Sequence, residues 1–269
     1  TCEEERGKVV LQIGTADADR AVKVAKLFEK DVAAIDVNMG CPKSFSVAGG
    51  MGVALAANIE NAKKILTALK SAVSIPITCK IRIKKTAEET IPHVKELVAT
   101  GISAIAIHAR HKNERPQHTP HPEVIKAVVE SGIDVPVICN GGSKEIMKHS
   151  DIQKYKDLCG ASSIMLARAA EWNSSIFRKQ GLLPKLEVVK MYLKYAVEYD
   201  NTAPNTKYNV QNILQDLQDT DQGRKFLSSE SMEQICEVFD MKDFYDEKQA
   251  EFLKRKLELK KEMKDEPPA

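Results

Sequence analysis

Most strand-like runs in this chain finish on a polar side chain, and that habit restricts the folds open to it. Apolar, β-branched runs occur at residues 9–13 (VVLQI), 34–38 (AIDVN), 77–82 (ITCKIR), 104–108 (AIAIH), 135–140 (VPVICN) and 163–167 (SIMLA). Five of the six bring Gln12, Asn38, Lys80, His108 or Asn140 to or near the carboxyl end. Their otherwise continuous apolar character fits parallel strands covered on both faces. Side chains alternate along a strand, so Ile77, Cys79 and Ile81 point one way and Thr78, Lys80 and Arg82 the other.

Helix signals fill the gaps between these runs. Asp17 is placed to cap a helix reaching Glu29, with Ala21, Val22, Ala25 and Leu27 inward. Asn58 opens a second helix bearing Ile65, Leu66 and Leu69, and Thr86 with Glu89 precedes a third bearing Ile91, Val94 and Leu97. Gly101 and Gly132 stand where helices end. Strands alternating with helices require an α/β fold with a parallel sheet. In a barrel, polar groups at successive strand ends converge on one pocket, whereas an open doubly wound sheet seldom draws on five strands in a row. The expected architecture is a (β/α)8 TIM barrel. Six strands are visible where a barrel needs eight, so two βα units are expected to be missing, ahead of Thr1.

From Pro184 onward only helical periodicity remains, as in Val188, Val189, Tyr192, Leu193 and Ala196. The expected organisation is an incomplete barrel over 1–175 and a small all-helical domain over 182–265. The stretch 246–266 mixes both signs of charge, with Glu251 four residues before Arg255, and reads as a solvated helix before a frayed PPA end.

A formal net charge of +2 gives no bulk preference for nucleic acid, so any RNA-binding charge has to be local. The six cysteines show neither CxxC pairs nor zinc spacing, the usage of reduced cytosolic thiols, and no metal ligand set is assigned. No run is long and apolar enough for a membrane span and no signal peptide is present, so a cytoplasmic, non-membrane protein is expected.

The most informative segment is NMGCPKSFSVAGGMG, residues 38–52. A glycine-rich loop directly after a strand lets backbone approach a ligand closely. Cysteines are usually inert core residues, but Gly40, Pro42 and Lys43 around Cys41 favour an accessible thiol. Lys43 favours the thiolate, whereas donating a proton requires the thiol, and both options stand. Asn140-Gly141-Gly142, by itself an ordinary turn, leads into a helical pattern at 144–149 and is followed one strand later by Ala167-Arg168. Loops after the last two strands are where barrels hold phosphate. Arg110, His111, Lys112, Arg115 and His118, with Lys84 and Lys85, form a basic rim on the same mouth; solvated surface charge is the plainer reading.

The run N-M-G-C-P-K followed by GGMG closely resembles the signature of the tRNA-dihydrouridine synthases. Gln12 in VVLQIGT, Lys80 in TCKIRI, His108 in AIHAR, Asn140-Gly141-Gly142 and Ala167-Arg168 agree with that family in order and character. RPQH at 115–118 and AEWNSSIF at 170–177 are similar to the eukaryotic cytoplasmic branch acting on D-loop uridine 20. The resemblance spans nearly all of residues 1–260. It implies a flavoprotein oxidoreductase of tRNA processing that reduces the uracil C5=C6 bond with FMN and with NADPH or NADH. Cys41 would protonate C5, Asn38 and Lys43 would meet the substrate, and Gln12, Lys80 and His108 would contact the flavin ring. Asn140, Gly141, Gly142, Ala167 and Arg168 would hold the FMN phosphate, and Arg110 and Arg115 would meet tRNA.

The helical domain resembles the family's tRNA-holding domain, with Tyr192, Lys194, Tyr195, Tyr199, Lys207 and Tyr208 as candidate contacts if they are not core. A monomer is expected. The family's first-strand APM-type segment and the double-stranded-RNA-binding domain of longer relatives are absent, which is expected to weaken flavin and RNA binding. A non-catalytic fragment or isoform that binds RNA or a partner is therefore the alternative reading. An FMN barrel acting on free pyrimidines is a weaker third.

Overall fold

The computed structural model describes residues 2–265 of the 269-residue chain, in two compact units that divide between residues 167 and 168. The first unit is built on β1 (Val10–Ile13), α1 (Ala18–Phe28), β2 (Ala34–Asn38), α2 (Ser44–Ala48), α3 (Val53–Ala57), α4 (Ile59–Ala72) and β3 (Ile77–Arg82). It continues with α5 (Ala87–Val98), β4 (Ala104–His108), α6 (Pro122–Glu130), β5 (Val137–Asn140), α7 (His149–Cys159) and β6 (Ser163–Met165). All six strands pair in parallel, in the unbroken order β1-β2-β3-β4-β5-β6. Parallel crossovers are almost always right-handed. An order that never reverses therefore sends every crossover helix to the same face, and α1, α4, α5, α6 and α7 pack there as neighbours.

The register settles which residues those helices cover. Gln12 lies opposite Asp36 and Asp36 opposite Thr78; Asn38 lies opposite Lys80 and Lys80 opposite Ala106. Arg82, His108, Asn140 and Met165 are likewise aligned across β3 to β6. Residues opposite one another share a face, so every predicted polar strand position falls on the same side. On the other side Ile35, Val37, Ile77, Cys79, Ile81, Ile105, Ile107 and Cys139 are fully buried under the helices.

Local signals place the helices. Asp17, Asn58 and Thr86 accept from the amides of Arg20, Asn61 and Glu89 at 2.8, 3.2 and 3.3 Å, satisfying donors that a first turn leaves unpaired. Ala62, Ile65, Leu66 and Leu69 of α4 are completely buried. Leu27, expected inward, is 72% exposed, because the buried stripe of α1 runs through Ala18, Ala21 and Ala25. Strand β5 starts later than expected, after Pro136, which has no N–H for a ladder. The helical pattern expected at 144–149 is also corrected. Residues 143–145 form a turn, and α7 begins at His149, where the Asp151 carboxylate accepts from the amides of Met147 and Lys148.

The second unit contains α8 (Arg168–Trp172), α9 (Lys185–Glu198), α10 (Ala203–Leu214), α11 (Asp221–Ser228), α12 (Met232–Val238) and α13 (Lys242–Asp265). Val188, Val189, Leu193, Val210, Ile213, Leu214, Phe226, Ile235 and Phe239 form its core, with the Phe226 and Phe239 rings tilted at 5.7 Å. Lys207 donates to the carbonyls of Leu227 and Ser229, which fastens the end of α11 and commits that lysine to structure. Tyr192 is partly buried against the core, whereas Tyr195, Tyr199 and Tyr208 are exposed. Glu251 pairs with Lys248 at 2.7 Å rather than with Arg255. Glu266 and the PPA end lie outside the described residues. Among those described, no helix is long and apolar enough to cross a membrane.

Truncating Phe239, which is fully buried in the helical core, is expected to cost about 3–5 kcal/mol of unfolding free energy. Urea denaturation of Phe239→Ala followed by circular dichroism measures it, and a loss below about 1 kcal/mol would contradict this packing.

Candidate active site

The polar face is wired together from β3 back to the loop after β2. Asp36 is only 6% exposed. Its carboxylate accepts from Thr78 Oγ1 at 2.7 Å and from Gln12 Nε2 at 2.8 Å. With the Gln12 amide oriented by that bond, its carbonyl accepts from Asn38 Nδ2 at 2.8 Å. Asn38 Oδ1 then accepts from the amides of Gly40 and Cys41 at 3.1 and 3.0 Å. Both lone pairs of the Asn38 carbonyl are thus spent on holding the Cys41 loop. Gln12 and Asn38 each keep one N–H for a ligand.

The half-buried, free Cys41 sits at the start of this loop. Arg82 straps it from the side, with Nε donating to Gly40 O and Nη1 to His111 O, both at 2.9 Å. Behind it, Gly52 adopts φ +59°, and a Cβ there would lie 2.3 Å from Cys41 O and 2.7 Å from Ser46 Oγ. Glycine is required at that point on both counts. Lys43 is exposed at the amino end of α2, outside this network.

Burial shapes the charges on this face. It holds the Asp36 carboxyl above its usual range, against the opposing pull of Thr78, Gln12 and Lys80. It pushes the Lys80 ammonium down to about 8, with Arg82 adding to the effect and Asp36 resisting it. His108 is pushed down to about 3, first by burial and then by Lys80, Arg82 and Arg110. Arg110 Nη1 lies 3.3 Å from His108 Nε2. A guanidinium can only donate, so Nε2 accepts, and the neutral ring carries its proton on Nδ1. Arg110 is itself held by the carbonyl of His118 at 2.9 Å, while Arg115 is exposed on the same loop.

After β5, Gly141 and Gly142 have φ of +149° and +69°. A Cβ on Gly142 would come within 2.6 Å of the Tyr155 ring. Among the described residues the amides of Gly141, Gly142 and Ser143 donate to no backbone carbonyl, and the buried Tyr155 hydroxyl has no partner. A side-chain-free turn, unspent amides and an orphaned hydroxyl fit an oxygen-rich anion such as a phosphate. The Asn140 side chain, by contrast, is tied to Met165 O at 2.9 Å and braces β5 against β6. Ala167 ends the first unit and the exposed Arg168 begins the second.

Gln12, Asn38, Cys41, Lys80, His108 and Arg110 therefore belong to one face and its adjoining loops, with Gly141 and Gly142 at the end of the same sheet. Lys43 and Arg115 stand apart as exposed charges. Three participants were missed from sequence. Asp36 could have been found by its parity with Asn38 in AIDVN, and Arg82 by its parity with Lys80. Tyr155, on α7, carries no local signal.

A family model for dihydrouridine synthases (Dus) matches residues 1–265. A tRNA-dihydrouridine(20) synthase of Schizosaccharomyces pombe, named with NAD(P)+, is 38% identical over 222 residues, covering 78% of this chain and 45% of that relative. The enzyme of the same name from Saccharomyces cerevisiae is 31% identical over 225 residues, covering 78% of this chain and 58% of its own. A tRNA-dihydrouridine(20a/20b) synthase of S. pombe is 30% identical over 193 residues, 71% of this chain and 58% of that one. The chain thus spans about half the length of these curated relatives.

Gly52→Ala should lower stability by about 2–4 kcal/mol, through a positive φ and the clash with Cys41 O; near-neutral denaturation would contradict this loop geometry. The acid response follows from two imidazoles. His108 titrates at about 3 in the fold, and burial with Lys84 lowers buried His93 to about 4, against about 6.5 when unfolded. The folded state binds fewer protons between those values, so stability falls as pH drops from about 6.5 towards 3. Melting temperatures recorded from about pH 7 to 4.5 should decline, and less steeply in His93→Gln; a flat wild-type profile would disprove it.

Proposed function

We propose that this chain, which belongs to the dihydrouridine synthase family, carries out the FMN-dependent reduction of the uracil C5=C6 bond in the D-loop of tRNA, with NAD(P)H as reductant. The observation that carries this reading is the Asn38 carbonyl, which takes the Gly40 and Cys41 amides and so fixes the loop bearing the free, half-buried Cys41 at the end of β2, where Asn38 lies opposite Lys80. The six sequential strands read as six of the eight of a closed barrel, with this face as its lining. The first unit serves as the FMN-binding catalytic domain. The helical unit is assigned to tRNA contact through the exposed Lys194, Tyr195, Tyr199 and Tyr208.

The chain's own residues fit the cofactor. The open turn at Gly141-Gly142, with its unspent amides and the Tyr155 hydroxyl, suits the phosphate, and Ala167 of the same unit is assigned with it. Gln12, Lys80 and His108 are assigned to the flavin ring. Lys80 supplies positive charge where a reduced flavin carries negative charge, and neutral His108 offers hydrogen bonds without adding repulsion. The FMN held there would, once reduced, supply the hydride for uracil C6. Cys41 gives its thiol proton to C5, completing the addition across the double bond, and recovers a proton from solvent. Asn38 offers its remaining N–H to a uracil carbonyl, with Lys43 beside the substrate. Arg110 and Arg115 meet phosphates and position the RNA without reading its sequence. A uridine has to leave its stack to reach such a site.

Cys41→Ala should retain flavin at the wild-type ratio while dihydrouridine formation falls by about 10²–10⁴-fold. Flavin absorbance and mass analysis of tRNA nucleosides measure the two quantities. Undiminished product would place the acid elsewhere, and RNA binding with neither flavin nor turnover in the wild type would select the non-catalytic reading.

A further inference from the structure

We infer that the loop after β4 holds a divalent transition-metal ion, zinc being the model case, on His111, Glu114 and His121. One ligand atom from each lies within 4.8 Å of the others. Two imidazoles and a carboxylate are a donor set that zinc takes readily, with a fourth position left for water. At Zn–N and Zn–O distances of about 2.0–2.1 Å, tetrahedral ligands sit about 3.4 Å apart. Closing on an ion therefore asks this irregular loop to contract by little more than about an ångström.

The arrangement around these side chains is what separates them from an ordinary ion pair. Two of the three candidate ligands, Glu114 and His121, have their far side anchored. Glu114 Oε2 accepts from the His111 amide at 2.6 Å, which leaves Oε1 inward. Glu123 Oε1 lies 3.3 Å from His121 Nδ1, the carboxylate–histidine contact that fixes tautomer and ring orientation around metals, and this leaves Nε2 inward. Those two inward atoms face each other at 2.9 Å, with a proton where a cation would sit. His111 Nδ1 is buried and has no partner in the described structure, and its ring stands 4.7 Å from that of His121. A Glu114–His121 ion pair would give this third nitrogen nothing to do, whereas a metal gives it a bond. The His121 amide already closes the loop onto Ala109 O at 2.7 Å. An ion bridging His111 to His121 would clip the segment that carries Arg115 and His118, ordering part of the basic rim. That consequence rests on the proposed RNA contact; the metal site itself does not.

The test uses the full chain after treatment with a chelator and its removal. Zinc chloride is titrated by calorimetry and cobalt chloride by visible absorption. One equivalent should bind, with a cobalt spectrum of nitrogen and oxygen ligands and perturbed ring signals for His111 and His121 in NMR. Glu114→Gln and His121→Ala should each weaken zinc binding by at least about 10-fold, and Glu123→Gln by about 10-fold as an outer partner. The inference fails if the wild type shows no saturable binding, or if a His111→Ala, His121→Ala double variant keeps wild-type affinity. It also fails if a thiolate-to-cobalt charge-transfer band places the ion on a cysteine. The wild-type spectrum decides even if a variant does not fold.

Discussion

A strand can present each side chain to only one of two faces, and the first unit is organised by that constraint. Because the six parallel strands run in unbroken order, their right-handed crossovers deliver all the packing helices to one side of the sheet. Fully buried isoleucine, valine and cysteine occupy that side from β2 to β5. The other side is left without crossover helices and can accept Asp36, Asn38, Thr78, Lys80, Arg82 and His108 together. A slip of one residue in β2 or β3 would put a charge under a helix and an isoleucine into the polar layer. Hydrophobic burial and the assembly of the site are therefore enforced by the same register.

Within the polar layer, hydrogen bonds propagate orientation. The Asp36 carboxylate accepts only, which forces the Gln12 amide to present its nitrogen; the Gln12 carbonyl then turns the Asn38 amide, and Asn38 seats the Cys41 loop. Four residues on two strands and one loop thereby share a single hydrogen-bonding sense. Breaking its first link would leave the buried Asp36 carboxylate short of a partner, which resists rearrangement. The charges obey the same logic. Asp36 and Lys80 are each drawn towards neutrality by burial and each opposed by the other. His108, surrounded by cations, remains neutral. This is a preorganised surface, polarised before any ligand arrives.

The loops at the carboxyl ends add what regular structure cannot. Gly52 and Gly142 give backbone positions that a side chain would block, one against Cys41 and one against Tyr155. The longer connection after β4 folds back on itself through Ala109 and His121 and gathers His111, Glu114 and His121 from positions that carry no ligand spacing in sequence. Loops over a rigid sheet are where such convergence is least constrained by packing.

Local chemistry alone determined a good deal of this protein. Asp17, Asn58 and Thr86 cap their helices because a short polar side chain before an apolar stripe satisfies amides wherever it occurs. The parity of ITCKIR survives into the sheet because alternation is a property of the extended chain. The NMGCPK loop was legible because Gly40, Pro42 and Lys43 are unlike the surroundings of a core cysteine. Tertiary structure decided the rest. Whether Asn38 holds a ligand or a loop depended on which partners its carbonyl found. Leu27 faces solvent because the alanines of α1 took the sheet-facing stripe, and residues 143–145 turn because the amides of Glu145 and Ile146 fold back onto Gly142 O. Asp36 and Arg82 share the parity of Asn38 and Lys80, but their roles came from partners on other strands and distant loops, and Tyr155 entered from a helix. Periodicity and capping act within a few residues, whereas partners and burial depend on what the folded chain brings alongside, which no local pattern encodes.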